Sequence, residues 1–379
     1  MLLRDQPPLH LTYCLNVHPG ESWAAMEDAV ERHAAAVKAA VSPKRPFGLG
    51  LRIAAEAARA ADAGRIAAFR ERLSALGLYA RTANAFPFGR FHGARVKESV
   101  YTPDWRTAER LEYTIRAAEI LAELLPEGET ACLSTVPVAY RAHLAAPDDA
   151  ARAVRRLAAA AEGLARLEDR TGRTLRLALE PEPDCFVETV ADAIAFLDRP
   201  GLRSPAARRH LAVCLDTCHL AVLGEDPAPA LRHLRDAGIA VGKVQLSSAL
   251  TARNDAEGRS ALAAFAEPVY FHQTVAFDAE GRPVARWPDL PAALAELPHL
   301  AAAAAIRTHF HVPLHWPGAG ALGATAAGLG PDFWRAAAEA TRDLEIETYT
   351  FDVLPEPLRR GGRAASIAAE YAWVRERIA

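Results

Sequence analysis

The sequence has few cysteines, and they form no recognisable framework. Five occur in 379 residues, an odd number, and none is arranged as Cys-x-x-Cys. This pattern excludes a disulfide-stapled scaffold and a zinc knuckle. We therefore expect a protein of the reducing cytoplasm, and we interpret Cys214 and Cys218 as small buried hydrophobes.

Long apolar runs and basic blocks are also missing. The most apolar tract, residues 300–306, is mostly alanine and falls well short of the roughly 20 apolar residues that a membrane-spanning helix needs. The N-terminal residues lack the apolar segment of a secretory signal. Lys and Arg number 44 against 47 Asp and Glu, a net charge of -3. We expect no membrane insertion and no nucleic-acid partner, which leaves a small-molecule substrate.

What the sequence does contain is an alternation of short apolar runs and amphipathic stretches. Eight strand-then-helix units of this kind predict an α/β fold of the (β/α)8 TIM-barrel type. The alternative, a doubly wound sheet, is disfavoured because no G-x-G-x-x-G follows the first strand. The predicted strands are 11–17, 48–52, 79–85, 130–136, 175–180, 211–216, 241–247 and 344–350, and the predicted helices are 22–41, 103–125, 148–167, 189–197, 229–237, 331–343 and 364–378.

The chain is longer than a barrel requires, and the surplus lies before the last strand. A barrel of this type takes about 250 residues. Within the surplus, segments 269–277 and 283–287 flank a turn at 278–281 and predict a β-hairpin. We interpret residues 1–379 as one domain with an insertion at about 250–340. Whether the insertion closes the site or makes a homo-oligomer contact is left open.

Polar residues collect where the predicted strands end, which is where barrels carry their active sites. For Asp216 taken alone, capping of the next helix is the better interpretation. His309 and His311 alternate along a strand and therefore share one face. Carboxylates with imidazoles predict a divalent metal ion, Mn²⁺, Mg²⁺, Co²⁺ or Zn²⁺. The candidate ligands are Glu180, Asp216, Gln245, His309, His311 and Glu347.

Glu180 after strand five, Asp216-x-x-His219 after strand six and Glu347 in strand eight resemble the xylose-isomerase-like TIM-barrel superfamily. That superfamily includes sugar isomerases, sugar 3-epimerases and endonuclease IV. The resemblance implies metal ligands Glu, Asp, His and Glu from strands five to eight. Here Gln245 stands where the family usually has His. Either Gln245 supplies a carbonyl oxygen, or His309 or His311 takes that place.

Longer stretches carry a more specific resemblance. HLTYCLNVHPGESW, LALEPEPDC, CLDTCHLAV, RTHFHVPLH and LEIETYTFDVLP resemble the EboE-type metabolite traffic proteins. These are bacterial proteins tied to the transport of secondary-metabolite precursors. The likeness runs along nearly the whole chain, but the biochemical activity of that family is poorly defined.

The resemblance implies a metal-dependent sugar isomerase or epimerase-like enzyme acting on a small polyol, sugar or secondary-metabolite precursor. Glu180 and Glu347 would be its acid-base pair. Two alternatives remain: a phosphoester hydrolase of endonuclease IV-like type with more than one metal, and a barrel that binds a metabolite without turning it over. The expected substrate contacts are His219, His18, Asn84, Phe86 and Trp316.

Overall fold

Parallel strands that alternate with helices form the central sheet. The structure, a computed structural model, describes residues 1–378. In chain order its strands are β1 Leu2–Asp5, β2 Pro8–Tyr13, β3 Phe47–Arg52, β4 Leu78–Asn84, β5 Thr130–Thr135, β6 Thr174–Leu179, β7 Leu211–Asp216, β8 Val241–Leu246, β9 Ala249–Arg253, β10 Thr274–Phe277, β11 Pro283–Trp287, β12 Ala305–His311, β13 Gly318–Ala319, β14 Leu322–Ala324 and β15 Asp343–Ile346.

The central sheet has the order β1-β2-β15-β8-β7-β6-β5-β4-β3. Eight of these strands, β2 to β8 and β15, run parallel, and β1 adds to β2 in the antiparallel sense. A parallel bridge between Cys14 and Gly50 joins the end of β2 to β3 and brings the two edges together. The predicted (β/α)8 barrel is therefore confirmed. Most strand ends lie within a few residues of the predicted ones.

Helices cover the outside of the barrel. The helix predicted from residue 103 begins only at Ala108, because Thr107 rather than Thr102 accepts the capping hydrogen bond. Among residues 1–378, no helix is long and apolar enough to cross a membrane. The α-helical segments are Trp23–Asp28, Ala35–Val41, Ala55–Ala60, Ala63–Ala75, Ala108–Leu124, Asp149–Thr171, Val190–Leu197, Pro205–His210, Thr217–Leu223, Pro227–Asp236, Ala256–Ala263, Leu290–Glu296, Pro331–Ala340, Glu356–Arg359 and Arg363–Ile378, and Ala29–Ala34 is a π-helix.

The insertion before the last barrel strand forms a second sheet. Its order is β11-β10-β12-β9-β14-β13, and all of its pairings are antiparallel. The predicted hairpin is present as β10 and β11, although residues 269–273 lie outside the strand. The insertion is thus more than a hairpin, because β9, β12 and β14 extend the sheet. Strand β12 ends at His311 and so carries the His309-x-His311 pair to the site.

Charged and hydroxyl side chains fill part of the barrel interior. Lys243 and Glu345, whose side chains are both 0% exposed, form an ion pair. The Glu345 carboxylate also accepts hydrogen bonds from Thr12 and Thr82. Gly50 faces this carboxylate, and a Cβ there would overlap it. Glu347, two residues after Glu345, is the next residue of this segment to face inward. The polar interior is therefore continuous with the candidate site.

Candidate metal centre

Three carboxylates meet at the C-terminal end of the barrel. Glu180 follows β6, Asp216 ends β7 and Glu347 follows β15. Each offers a carboxylate oxygen, and these oxygens lie within 4.8 Å of one another. All three side chains are buried. Parallel strands place their carboxyl ends on one rim, which explains why residues this distant in sequence converge.

Asp216 does two things at once. Its Oδ1 accepts hydrogen bonds from the backbone N–H of Cys218 at 2.7 Å and of His219 at 3.1 Å, and so caps the helix Thr217–Leu223. The hydroxyl of Ser247 donates to the same oxygen at 2.6 Å. Within residues 1–378, the buried Oδ2 has no hydrogen-bond partner. The capping interpretation is correct for one oxygen, and the other is free to bind a cation.

Glu347 and Glu180 differ in how they are held. The Asn16 amide donates to Oε1 of Glu347 at 2.6 Å, and the Asn84 amide lies 3.4 Å from the same atom. Oε2 of Glu180 is buried and lacks a partner among the residues described. A buried carboxylate oxygen without a partner is costly unless a cation or proton satisfies it.

Burial and mutual repulsion shift the acidity of this cluster. Burial, with help from the neighbouring Asp216, raises the pKa of Glu180 to about 8. Burial and repulsion from Glu180 and Asp216 raise the pKa of Glu347 well above its usual value. For Asp216, burial opposes ionisation, but attraction to His219 and His311 and the Ser247 hydrogen bond lower the pKa. A divalent cation would relieve the repulsion among the three groups.

Three imidazoles stand beside the carboxylates. Nε2 of His219 lies 3.2 Å from Nε2 of His309, which lies 3.2 Å from Nε2 of His311. Asp216, His219 and His311 also offer ligand atoms within 4.8 Å of one another. Asp216 therefore belongs to both groups, so the carboxylates and the imidazoles form two adjoining candidate sites.

The ring orientations leave lone pairs at the centre of the imidazole group. Nδ1 of His219 lies 2.9 Å from the Pro181 carbonyl, and Nδ1 of His311 lies 2.7 Å from the Glu347 carbonyl. Nδ1 of His309 lies 2.7 Å from Oε1 of Gln273. Because these partners are acceptors, each Nδ1 carries the hydrogen and each Nε2 presents a lone pair.

Burial keeps two of these rings neutral. It lowers the pKa of His311 to about 4 and that of His309 well below its usual value. The unprotonated Nε2 atoms of these two neutral rings, 3.2 Å apart, repel one another unless a cation lies between them. The donor set, with its orphaned oxygens and converging nitrogens, fits a divalent metal ion.

Gln245 lies next to this cluster. It pairs in register with Asp216 on β7 and with Glu345 on β15. The Cys214 thiol donates to its Oε1 at 2.9 Å, and its buried Nε2 has no partner in the described chain. With the carbonyl oxygen engaged and the amide nitrogen a donor, Gln245 is a poorer ligand than the neighbouring imidazoles.

A pocket opens above the cluster. It holds about 510 Å³ of space, part of it open to solvent. The expected contacts His219, Asn84 and Phe86 line it. The other two do not belong to this lining. His18 stacks on His33 with ring centroids 4.5 Å apart, and Trp316 packs on the main core.

Sequence reasoning did not assign several residues that line the pocket. Glu182 lies two residues after Glu180, and burial raises its pKa to about 8. Its polar type and position near a strand end are a signal that the sequence carries. The aromatic residues have no such signal, because they come from loops and from the insertion. They are Phe91, Tyr101, Tyr270, Phe271 and Tyr349.

The barrel and its buried acidic cluster define a (β/α)8 protein with a candidate divalent-metal centre at the C-terminal end of the strands. The family model described as xylose isomerase-like TIM barrel matches residues 47–298, more than half of the chain. The chain therefore belongs to the xylose isomerase-like TIM barrel family.

Solved structures resemble the chain along nearly its whole length. A xylose isomerase-like TIM barrel protein from Mycobacterium smegmatis in complex with magnesium has a TM-score of 0.55 at 11% identity, covering 97% of this chain and 96% of that one. A D-psicose 3-epimerase solved in the presence of D-fructose has a TM-score of 0.50 at 14% identity, covering 98% and 99%. At these identities the likeness concerns the fold. No curated protein matches the chain.

Proposed function

We propose that this protein is a divalent-metal-dependent enzyme of the sugar isomerase or epimerase type. The observation that carries the proposal is the buried cluster of Glu180, Asp216 and Glu347, whose ligand oxygens lie within 4.8 Å of one another. These residues would hold the metal. When bound, the metal would supply Lewis-acid polarisation of a substrate carbonyl. The proposed substrate is a small molecule with adjacent hydroxyl and carbonyl oxygens.

The chain's own residues would position and move the proton. Asn16 and Asn84 orient Glu347 by donating to its Oε1. Glu180 and Glu347 come from strands separated in the sheet by β7 and β8, so they approach the pocket from different sides. Such a pair can remove a proton from one face of a substrate and return one on the other. Burial of both groups would exclude water from that exchange.

Metal binding and proton exchange test this proposal. Protein stripped with EDTA would be titrated with Mn²⁺, Mg²⁺, Co²⁺ and Zn²⁺ by calorimetry, and then incubated with ketoses in D₂O. We expect one tight site, and deuterium at the carbon beside the carbonyl by NMR.

Glu347→Gln should abolish the exchange and weaken metal binding at least 100-fold. The matched control is Glu370→Gln, a buried carboxyl group that is hydrogen-bonded to Thr348 at 2.6 Å, outside the cluster. It should change neither property. A clean protein with no affinity for any of these metals would refute the proposal.

A second candidate, a metal-dependent phosphoester hydrolase, is favoured by the imidazole group of His219, His309 and His311. That group adjoins the carboxylates and would hold a further metal. Metal count separates the two functions, because one ion per chain suits isomerisation and two or three suit hydrolysis. Hydrolysis of bis(p-nitrophenyl) phosphate with two bound ions would establish the hydrolase instead.

The EboE-type resemblance narrows the proposed role to metabolite traffic in secondary metabolism. The cysteine pattern supports a cytoplasmic location. The stretches around Asp216, His309 and Glu347 that support it are also those that build the site. We propose further that residues 1–379 form one domain. Comparing the metabolites of a strain lacking the gene with those of its parent tests the role, and light scattering tests for a homo-oligomer. A precursor that accumulates in the deletion strain is the expected result.

A further inference from the structure

The pocket above the carboxylate cluster has two ends of different chemistry. Its floor is polar and carries carboxylates and imidazoles. Its upper part is lined by ring and aliphatic side chains, with few polar atoms available to a ligand. We call the ring side chains the aromatic wall: Phe86, Phe91, Tyr101, Tyr270, Phe271 and Tyr349.

The aromatic wall is assembled from separate segments. Phe91 comes from the loop after β4, Tyr270 from the segment before β10, and Tyr349 from the turn after β15. The Phe91 ring centroid lies 5.3 Å from that of Tyr270 and 5.1 Å from that of Tyr349. With Val96 these rings form an apolar cluster separate from the main core. These three rings therefore line the pocket without belonging to the main core, whereas Phe86 and Tyr101 belong to it.

Two of the three hydroxyls of the wall are engaged within the protein, and the third faces the polar floor. The Tyr270 hydroxyl lies 2.8 Å from Nδ1 of His92, and the Tyr101 hydroxyl donates to Glu182 at 2.8 Å. The Tyr349 hydroxyl lies 3.5 Å from Nε2 of His309, at the floor. The wall therefore presents ring carbons to a ligand. A sugar hydroxyl placed there would lose its water without gaining a partner, whereas a hydrocarbon group would gain from burial.

The charges around the pocket disfavour an anionic ligand. Among the described residues that line it, Lys97 is the only lysine or arginine. Its ammonium group is paired with Asp289 and lies 5.5 Å from the Phe271 ring centroid. Glu180, Glu182 and Glu347 also face the space. Away from the proposed metal, a phosphate group would therefore find no unpaired lysine or arginine to bind it.

We infer that the ligand carries an apolar substituent next to the oxygen pair that reaches the carboxylate cluster. The preferred ligand class is an α-hydroxyketone or vicinal diol with an aryl or branched hydrocarbon group, which should bind more tightly than a free or phosphorylated sugar. The oxygen end of this inference rests on the proposed function. The apolar end rests on the aromatic wall alone.

Three α-hydroxyketones that differ in the group beside the carbonyl test the inference: 2-hydroxyacetophenone, hydroxyacetone and D-fructose. Calorimetry on the Mn²⁺-loaded and the metal-free protein gives their Kd values. We expect 2-hydroxyacetophenone to bind at least tenfold more tightly than the other two. Phe91→Ala should raise its Kd about tenfold and change that of hydroxyacetone less than twofold.

Two further variants control the experiment. Phe88 lies in the same loop as Phe91, but its ring packs 5.0 Å from that of Tyr113 and is not part of the pocket lining. Phe88→Ala should therefore leave both Kd values within twofold. Val100→Asn places an amide at the half-buried edge of the wall without removing a ring. It should weaken the binding of 2-hydroxyacetophenone about tenfold, even if Phe91→Ala does not fold.

The outcomes separate this inference from the proposed function. Equal affinities for the three ketones, tighter binding of D-fructose, or no binding at all by Mn²⁺-loaded protein would overturn the inference and leave metal binding intact. A protein that takes no metal but still prefers 2-hydroxyacetophenone, with the same sensitivity to Phe91→Ala, would refute the proposed function and support the apolar wall.

Discussion

Replacing Lys243 with methionine should strongly destabilise the barrel. Lys243 and Glu345 are paired inside the barrel with both side chains 0% exposed. Removing the ammonium group leaves the Glu345 carboxylate buried, with only the hydroxyls of Thr12 and Thr82 as hydrogen-bond donors. Breaking a buried ion pair from one side costs about 3–5 kcal/mol. That is a large share of a free energy of unfolding of about 5–15 kcal/mol.

A double variant distinguishes the loss of the ion pair from the loss of either side chain. Glu345→Gln keeps an oxygen that can accept from Thr82, and combined with Lys243→Met it removes both charges of this pair. We expect the double variant to recover at least about 2 kcal/mol relative to the sum of the single changes. Urea unfolding followed by tryptophan fluorescence measures each free energy.

An exposed pair provides the control for this experiment. Arg209 and Glu168 form an ion pair with side chains 58% and 20% exposed. Arg209→Met should therefore cost at most about 1 kcal/mol. The reasoning is refuted if Lys243→Met lowers the free energy of unfolding no more than Arg209→Met does.

The remaining predictions concern the metal, the pocket loop and the pocket boundary. Because burial raises the pKa of Glu180 to about 8, protons compete with the metal below that pH. The affinity for Mn²⁺ should therefore rise roughly tenfold per pH unit from pH 6 to 8. An affinity that calorimetry finds independent of pH would contradict this. Buried Arg110 donates to the backbone carbonyl of Phe86 at 3.1 Å and to two further carbonyls. Arg110→Met should therefore lower the free energy of unfolding by about 3 kcal/mol, measured in urea. A loss below about 1 kcal/mol would argue against it. Trp316→Ala should leave the Kd values of Mn²⁺ and 2-hydroxyacetophenone within twofold, since Trp316 lies outside the pocket lining; a tenfold change would place it in the site.

The barrel was predictable because its pattern is local. Each apolar run and the amphipathic stretch after it can be recognised within a short window. The helical connection between β3 and β4 was not predicted, because its longer helix, Ala63–Ala75, is dominated by Ala and Arg. Only Ile66, Phe69 and Leu73 of that helix are buried, which leaves a narrow apolar stripe. The size of the second sheet was also missed, since the pairing of β9 with β12 and β14 joins segments far apart in sequence.

The carboxylate cluster was predictable for a topological reason. In a parallel barrel the strand ends share one rim, so a polar residue at the end of a strand is a candidate for the site wherever it lies in the chain. That rule places Glu180, Asp216 and Glu347 among the candidates. The same rule also selected His18, which the structure places against His33 instead. A rim position does not determine the direction of a side chain.

The sequence by itself determined the barrel, the rim and the acidic residues on it, because strand periodicity and strand order specify them without knowledge of distant contacts. Only the tertiary structure decided which ring nitrogens face each other and which rings form the aromatic wall. His219 and His309 are 90 residues apart, and their orientation depends on acceptors supplied by other segments. The wall likewise needs three loops to meet above the barrel. Such contacts depend on where chain segments finally pack, and no local pattern encodes that.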